Sequence, residues 1–155
     1  MVVISSTMSM EIAGKNFVVG ASQERVWRLI GKVIFNALPG LENIEILDEN
    51  SFRGILRLKL LGVQMSNRVR GEITDVLPPE SFSVNLFLSG PGGLFTLSQR
   101  ATFAMNEVDR NQTEITAKAT VDSVGFLFQF MLIGQARRFA QSTFEAIEKR
   151  LKELA

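Results

Sequence analysis

The side chains that could do chemistry in this sequence are carboxylates, amines, guanidinium groups and hydroxyls, because it contains no histidine, cysteine or tyrosine. These absences remove the commonest general acid and base, the thiolate nucleophile and the commonest ligands of transition metals. Adjacent carboxylates occur at Asp48 and Glu49, but they lie in a turn-forming stretch with no partner base nearby in the pattern. We therefore predict no catalytic residue, no metal site and no cofactor.

Arg137 is the charged residue with the most unusual setting. It falls in the apolar register of a helical pattern, where a buried arginine is costly unless it is paired. Two interpretations stay open. Arg137 forms the polar end of a ligand pocket, or its side chain extends to the rim while Ala136 faces inward in its place. The glycine-rich residues 90–93 are not followed by a helical pattern, which predicts an ordinary loop rather than a phosphate-binding loop.

A long C-terminal helix over residues 125–155 must position Arg137. Residues 125–134 contain no charge and are apolar on every side, so they must be buried on several sides, touch a ligand, or face a partner or a membrane. This run is too short to span a bilayer. The second half of the helix has one apolar face. The register of apolar steps, which includes Arg137, consists of Phe126, Phe130, Ile133, Arg137, Ala140, Phe144, Ile147 and Leu151.

The preceding chain predicts a sheet with one covered face. Residues 11–20 predict a first strand, Ser22 an N-cap, and residues 23–30 a helix that Gly31 ends, with a short helical piece at 32–37. After the turn at Pro39 and Gly40, apolar and polar residues alternate in about six strands, the first of which includes Ile44 and Ile46. We predict an α+β fold of the helix-grip type. A curved antiparallel sheet of about seven strands wraps around one long C-terminal helix, with a short helical segment after the first strand.

Charge and length limit the other classes of function. The 17 basic and 16 acidic residues nearly balance, and no basic block is interleaved with aromatic residues, so we expect no nucleic-acid binding. The first ten residues do not form a signal peptide, and we expect a cytoplasmic protein. Residues 1–9 are predicted to be a flexible extension and residues 10–155 a single domain.

An apolar pocket is predicted between the sheet and the C-terminal helix. Pockets for small molecules are concave and mostly apolar, with a few polar groups. The alternative is that the same side chains simply pack together. The candidate residues lie on the apolar face of the sheet, on the start of the helix and at the lip near Pro39, with Arg137 as the polar end. They are Phe35, Leu38, Leu56, Leu58, Met65, Val69, Leu86, Phe95, Leu97, Phe126, Phe130, Met131 and Arg137.

Four segments of the chain resemble one known family. Residues 21–27 (Ala-Ser-Gln-Glu-Arg-Val-Trp), 38–42 (Leu-Pro-Gly-Leu-Glu), 71–82 and 134–140 (Gly-Gln-Ala-Arg-Arg-Phe-Ala) are similar, in this order, to segments of the CoxG-like family. This family takes its name from the CoxG component of carbon monoxide dehydrogenase and is a branch of the START-like, or SRPBCC, helix-grip superfamily. The resemblance covers nearly all of residues 10–154.

The resemblance implies a hydrophobic small molecule, a quinone or a lipid, bound between sheet and helix. It also implies a role beside a molybdenum-containing carbon monoxide dehydrogenase or a related hydroxylase, either in quinone delivery or in recruitment to the inner face of the membrane. The chain departs from the family at residues 95–99, where other members have a glycine-rich stretch and where we expect a reshaped pocket. It also ends at Ala155 without the hydrophobic tail of some members, so we expect only peripheral membrane contact.

Three functions therefore remain from the sequence. The first is a non-catalytic carrier of a hydrophobic ligand. The second is a module that docks on an oxidoreductase or a membrane through residues 126–133. The third is an enzyme of the cyclase or hydrolase kind found among helix-grip proteins, against which the absence of histidine, cysteine and tyrosine weighs.

Overall fold

Seven antiparallel strands and two helices form the molecule in the computed structural model, which describes residues 10–60, 62–93, 95–125 and 129–155. The sheet order is β1-β7-β6-β5-β4-β3-β2, and the predicted fold is confirmed. The elements in chain order are β1 (Met10–Val19), α1 (Gln23–Ala37), β2 (Leu41–Asp48), β3 (Ser51–Leu60), β4 (Val63–Leu77), β5 (Ser81–Ser89), a 3-10 turn (Pro91–Gly93), β6 (Thr96–Asp109), β7 (Gln112–Gly125) and α2 (Gln129–Leu154).

Helix α1 is one continuous helix, so the prediction that Gly31 ends it is wrong. Its N-cap is the predicted one, because the Ser22 hydroxyl accepts a hydrogen bond from the Arg25 N–H at 3.3 Å. Gly31 is exposed, and a side chain there would meet nothing within 4 Å. The buried stripe that includes Ile30 continues through Ile34, so packing against the sheet outweighs the cost of one helical glycine.

Helix α2 begins later than predicted. Gly125 belongs to β7, and α2 starts at Gln129. Residues 126–128 lie outside the described part of the chain. The buried stripe of α2 runs through Ala136, Ala140, Phe144, Ile147 and Leu151. Ala136 therefore occupies the inward position that the helical pattern assigned to Arg137.

Strand β2 does not bury the apolar face that alternation predicted for it. Ile44 is 41% exposed and Ile46 is 59% exposed. Asn43 has a positive φ of 52°, and the register with β3 shifts between Glu42 and Glu45. Such a bulge twists an edge strand and redirects its side chains, so this strand leaves the core after Leu41.

The connection from α1 to β2 is fixed by a glycine. Gly40 has a φ of +78°, and a Cβ atom there would lie 2.8 Å from the Arg57 carbonyl oxygen. The Gly40 carbonyl in turn accepts a hydrogen bond from the Arg57 N–H at 3.0 Å. The predicted Pro39–Gly40 turn thus holds the end of α1 against β3, and only glycine allows both the backbone angle and the close approach.

A chain of aromatic rings joins both helices to the sheet at one end, which we call the aromatic end. Trp27 of α1 meets Phe82 edge-on at 5.7 Å, Phe82 stacks on Phe103 at 5.1 Å, and Phe103 meets Phe144 of α2 edge-on at 5.7 Å. Ring pairs at these distances add about 0.5–1.5 kcal/mol each to the area that they bury. This end of the core is held by rings from four different elements.

Candidate functional site

The concave face of the sheet is aliphatic where β3, β4, β5 and β6 run side by side. Val69 pairs with Leu88, and Leu88 pairs with Leu97, which places three aliphatic side chains in one row across the strands. Residues two positions away along a strand face the same side, so Leu86 extends the face along β5. All four side chains are buried. We call this part of the core the leucine end.

A cavity of about 20 Å³ lies at the leucine end. Its described wall comes from four strands and from one residue of α2, the half-buried Phe139. The lining residues are Leu56, Leu58, Val69, Leu86, Leu88, Leu97, Gln99 and Phe139. A volume of this size accommodates about one water molecule. The predicted pocket position therefore holds a small cavity between sheet and helix.

Two glycines on this face leave room for aromatic rings from neighbouring strands. A Cβ atom at Gly71 would lie 2.2 Å from the Phe52 ring, and one at Gly90 would lie 2.6 Å from the Phe95 ring. Both rings are buried. Each ring thus fills the space above a residue that has no side chain, and the two rings bound the cavity region on either side.

Two polar residues interrupt the aliphatic face, and the sequence analysis missed both. Gln99 lines the cavity and is 5% exposed, and Asn67 on β4 is 1% exposed. A signal for each was present in the sequence. Asn67 shares the inward phase of Met65 and Val69, and Gln99 shares that of Leu97. A polar residue in the apolar phase of a strand is unusual, because buried polar groups are costly unless they are bonded.

The predicted pocket residues divide into those that line the cavity and those that lie elsewhere. Leu56, Leu58, Val69, Leu86 and Leu97 are part of its wall. Phe35 packs edge-on against Phe52 at 5.2 Å, and Leu38 is buried at the end of α1. Met65 is half-buried at the end of the same face of β4, and Phe95 lies over Gly90. Phe126 lies outside the described residues, as do the side chains of Phe130 and Met131.

Arg137 is not brought to the cavity. Its side chain is exposed, and its Nε donates a hydrogen bond to the Ile12 carbonyl oxygen of β1 at 3.1 Å. Strand β1 is at the opposite edge of the sheet from β2, so this contact is remote from β3 and β4. The interpretation in which the arginine extends to the rim and Ala136 faces inward describes this arrangement.

The carboxylates with shifted pKa values have structural surroundings. The Asn50 backbone N–H donates to Asp48 Oδ1 at 2.8 Å, and this bond lowers the pKa of Asp48 in the turn between β2 and β3. The Lys152 ammonium bonds Glu148 at 2.7 Å and is the largest cause of that carboxyl's lowered pKa, with a further contribution from Lys15 of β1. Within the described ranges, no cluster of acidic residues has the arrangement of a metal site.

A comparison with protein-family models finds one match, to the carbon monoxide dehydrogenase component CoxG, over residues 16–152. This match extends over most of the chain. The chain belongs to the CoxG family. A search of curated protein sequences found no significant match.

Solved structures with the same fold include a conserved protein from Geobacillus kaustophilus, with 18% identity and a TM-score of 0.71 over 94% of this chain and 96% of the other. A START superfamily protein from Mycobacterium smegmatis has 16% identity and a TM-score of 0.63, over 94% and 100%. An aromatase/cyclase from Streptomyces sp. R1128 has 13% identity and a TM-score of 0.62, over 94% of each chain. At these identities the likeness is one of fold, and the START-like fold of this CoxG protein is confirmed.

Two of the segments that resemble CoxG proteins have clear structural roles here. Residues 38–42 form the Gly40 turn that holds α1 against β3. Residues 134–140 form the part of α2 that carries Phe139 over the cavity. No helix in the described part of this CoxG chain is long and apolar enough to cross a membrane.

Proposed function

We propose that this CoxG protein binds a hydrophobic small molecule, quinone-like or lipid-like, between the leucine end of the sheet and α2, and that it does so without catalysing a reaction. The observation that carries the proposal is the cavity with its aliphatic wall, which Phe139 covers from the helix side. Each ligand methylene that leaves water for this wall would contribute about 0.8 kcal/mol. An isoprenoid or acyl chain therefore needs few polar contacts to bind.

The cavity corresponds to a closed form of the binding site. Sites for drug-sized ligands have volumes of roughly 300–1,000 Å³, whereas the volume here is about 20 Å³. Uptake therefore requires the leucine side chains and Phe139 to move apart. Phe139 is half-buried and lies in the part of α2 remote from the aromatic end, so it is the element of the wall that can move at least cost.

The chemistry of the described cavity wall supports a binding function over an enzymatic one. The lining consists of aliphatic residues, one phenylalanine and one glutamine. With histidine, cysteine and tyrosine absent from the whole sequence, no group in this described wall has a pKa suited to proton transfer near neutral pH. The aromatase/cyclase with the same fold shows that the fold can host an enzyme, and catalysis by this chain would require a different constellation.

The family supplies the second half of the proposal. Because CoxG proteins are described as a component of carbon monoxide dehydrogenase, we propose that the bound molecule is delivered to, or received from, a molybdenum-containing oxidoreductase of this type. Quinones and lipids reside in membranes, so the exchange would occur by peripheral contact with the inner face of the membrane. Sedimentation of the purified protein with such a dehydrogenase and with quinone-loaded vesicles measures both contacts.

The test of ligand binding starts with native mass spectrometry of the purified protein and extraction of any bound molecule. Titration with a menaquinone analogue and with a fatty acid follows. Val69→Phe fills the cavity, and Val108→Phe makes the same change at a residue that is 59% exposed. We expect uptake to fall by more than tenfold in the first variant alone. Equal uptake by both folded variants, or no uptake by the unmodified protein, would refute the proposal.

A further inference from the structure

Asn67 is a buried polar residue beside the cavity. Its backbone pairs with Leu56 on β3, and Val69 follows two positions later on the same face of β4. Leu56 and Val69 both line the cavity. Asn67 is therefore flanked by cavity residues both across the strands and along its own strand, while its side chain is only 1% exposed.

The orientation of the Asn67 amide is fixed by its own hydrogen bonds. Its Nδ2 donates to the Leu56 carbonyl oxygen at 3.0 Å and to the Met65 carbonyl oxygen at 3.3 Å. Both N–H groups are used by these two bonds. A flipped amide would place Oδ1 against two carbonyl oxygens, which repel it, so the flip is excluded. The oxygen that remains is held as an acceptor and cannot become a donor.

This acceptor has no partner in the described part of the chain. Asn67 Oδ1 is buried there without a hydrogen bond. Unpaired buried polar atoms are rare in native proteins, because each loses its bonds to water without replacement. An unpaired acceptor whose neighbours line a cavity indicates that a molecule in the cavity supplies the missing donor.

We infer that the ligand carries a hydroxyl or N–H group that donates a hydrogen bond to Asn67 Oδ1. This inference rests on the proposed function and narrows its ligand class. A hydroquinone, an alcohol or a protonated acid has such a donor. A quinone, an ester or an ether presents only acceptors, and an acceptor facing the fixed Oδ1 is repelled. The cavity therefore favours the reduced, hydroxyl-bearing form of a quinone pair over the oxidised form.

Gln99 is the other polar residue beside the cavity and serves as the control position. It belongs to β6, two strands from β4 in the sheet, and lines the cavity. Its amide both donates and accepts, so Gln99 can pair with either kind of ligand group. Of these two residues, Asn67 is the one that imposes a preference for a donor.

The experiment compares matched probes that differ only in the donor. We would measure the dissociation constants of the unmodified protein for an alkylated hydroquinone and its dimethyl ether, and for dodecan-1-ol and its methyl ether. One hydrogen bond to a buried acceptor corresponds to about five- to tenfold in affinity. We expect each hydroxyl probe to bind more tightly than its ether by that factor, since the apolar parts are the same.

The variants assign this preference to Asn67. Asn67→Leu is expected to bind each hydroxyl probe and its ether equally well, and Gln99→Leu is expected to keep the preference for the hydroxyl. Equal binding of hydroxyl and ether by the unmodified protein would overturn the inference, leaving ligand binding intact and a trapped water as the partner of Oδ1. Failure of all four probes to bind would overturn the proposed function together with it. The comparison in the unmodified protein decides the question even where Asn67→Leu does not fold.

Discussion

The two ends of the core are built from the same sheet face in different ways. At the aromatic end, Phe82, Phe103 and Phe144 interlock with Trp27, and both helices cover the strands. At the leucine end, aliphatic residues and one ring of α2 enclose a cavity next to an unpaired polar atom in the described part of the chain. Interlocked rings leave little freedom to rearrange, whereas leucine side chains can change rotamer at modest cost. The fold thus separates the part that provides stability from the part that can admit a guest.

The largest test of this difference is a truncation at the aromatic end. Phe103→Ala should lower the free energy of unfolding by about 3–5 kcal/mol, because it removes the ring that contacts both Phe82 and Phe144. Urea denaturation measures the change. Phe87→Ala, at a residue that is 44% exposed, is the matched control and should cost less than about 1 kcal/mol. Similar costs for the two variants would mean that the rings do not hold this end.

A leucine truncation at each end sharpens the comparison. Leu151→Ala at the aromatic end should cost about 3–5 kcal/mol, and Leu88→Ala in the cavity wall about 2 kcal/mol, because Phe139 can move into the new space. The second variant should also bind a hydrophobic fluorescent probe more tightly than the unmodified protein. Equal losses of stability with unchanged probe binding would remove the distinction between the two ends.

The wall at the leucine end also depends on the turn that anchors β3. Gly40→Ala should lower the free energy of unfolding by about 1–3 kcal/mol, from a positive φ and a contact with the Arg57 backbone. Gly62→Ala shares the strained angle, with a φ of +75°, but meets nothing within 4 Å. The difference between these variants, read from urea denaturation, isolates the contact with β3. Identical losses would show that the backbone angle alone accounts for the requirement.

The smallest expected effect lies at the rim of α2. Glu148 bonds Lys152 and Lys15, and its lowered pKa means that it stabilises the folded state above its ordinary value of 4.5 and loses this contribution as the pH falls through the folded pKa. Glu148→Gln should lower the free energy of unfolding by up to about 1 kcal/mol at neutral pH. The difference from the unmodified protein should shrink below pH 4.5.

Glu145→Gln, at an exposed position on the same helix, is the control for that measurement and should change stability little at any pH. A loss in Glu148→Gln that stays constant as the pH is lowered would show that packing, rather than charge, is the contribution of Glu148.

The sequence predicts the fold well because the pattern that encodes it is long and repeated. Alternation over several strands and a helical stripe near the C-terminus define the architecture even where single residues deviate. The deviations are local. Gly31 is a helix breaker by propensity, yet the buried residues on either side keep α1 continuous. Ile46 has the alternation of a buried strand, yet a bulge at the sheet edge exposes it.

The candidate site is less predictable, since its function depends on which polar residues interrupt the pattern. Asn67 and Gln99 lie in the inward phase and could have been recognised there. Nothing in the sequence shows that Asn67 uses both of its donors on the backbone, because this depends on the carbonyl positions of two particular residues. Arg137 illustrates the converse. Its helical register suggested a pocket, and its contact with Ile12 could be found only from the structure.

The two rings that lie over glycines have an evolutionary consequence. Since the Phe95 ring occupies the space above Gly90, and the Phe52 ring the space above Gly71, neither glycine can acquire a side chain unless its partner becomes smaller. Each pair is therefore expected to change together among descendants of this sequence, with volume transferred from one strand to the next. Such exchanges would redistribute space around the binding region without altering the backbone, which gives the lineage a gradual route to new ligands.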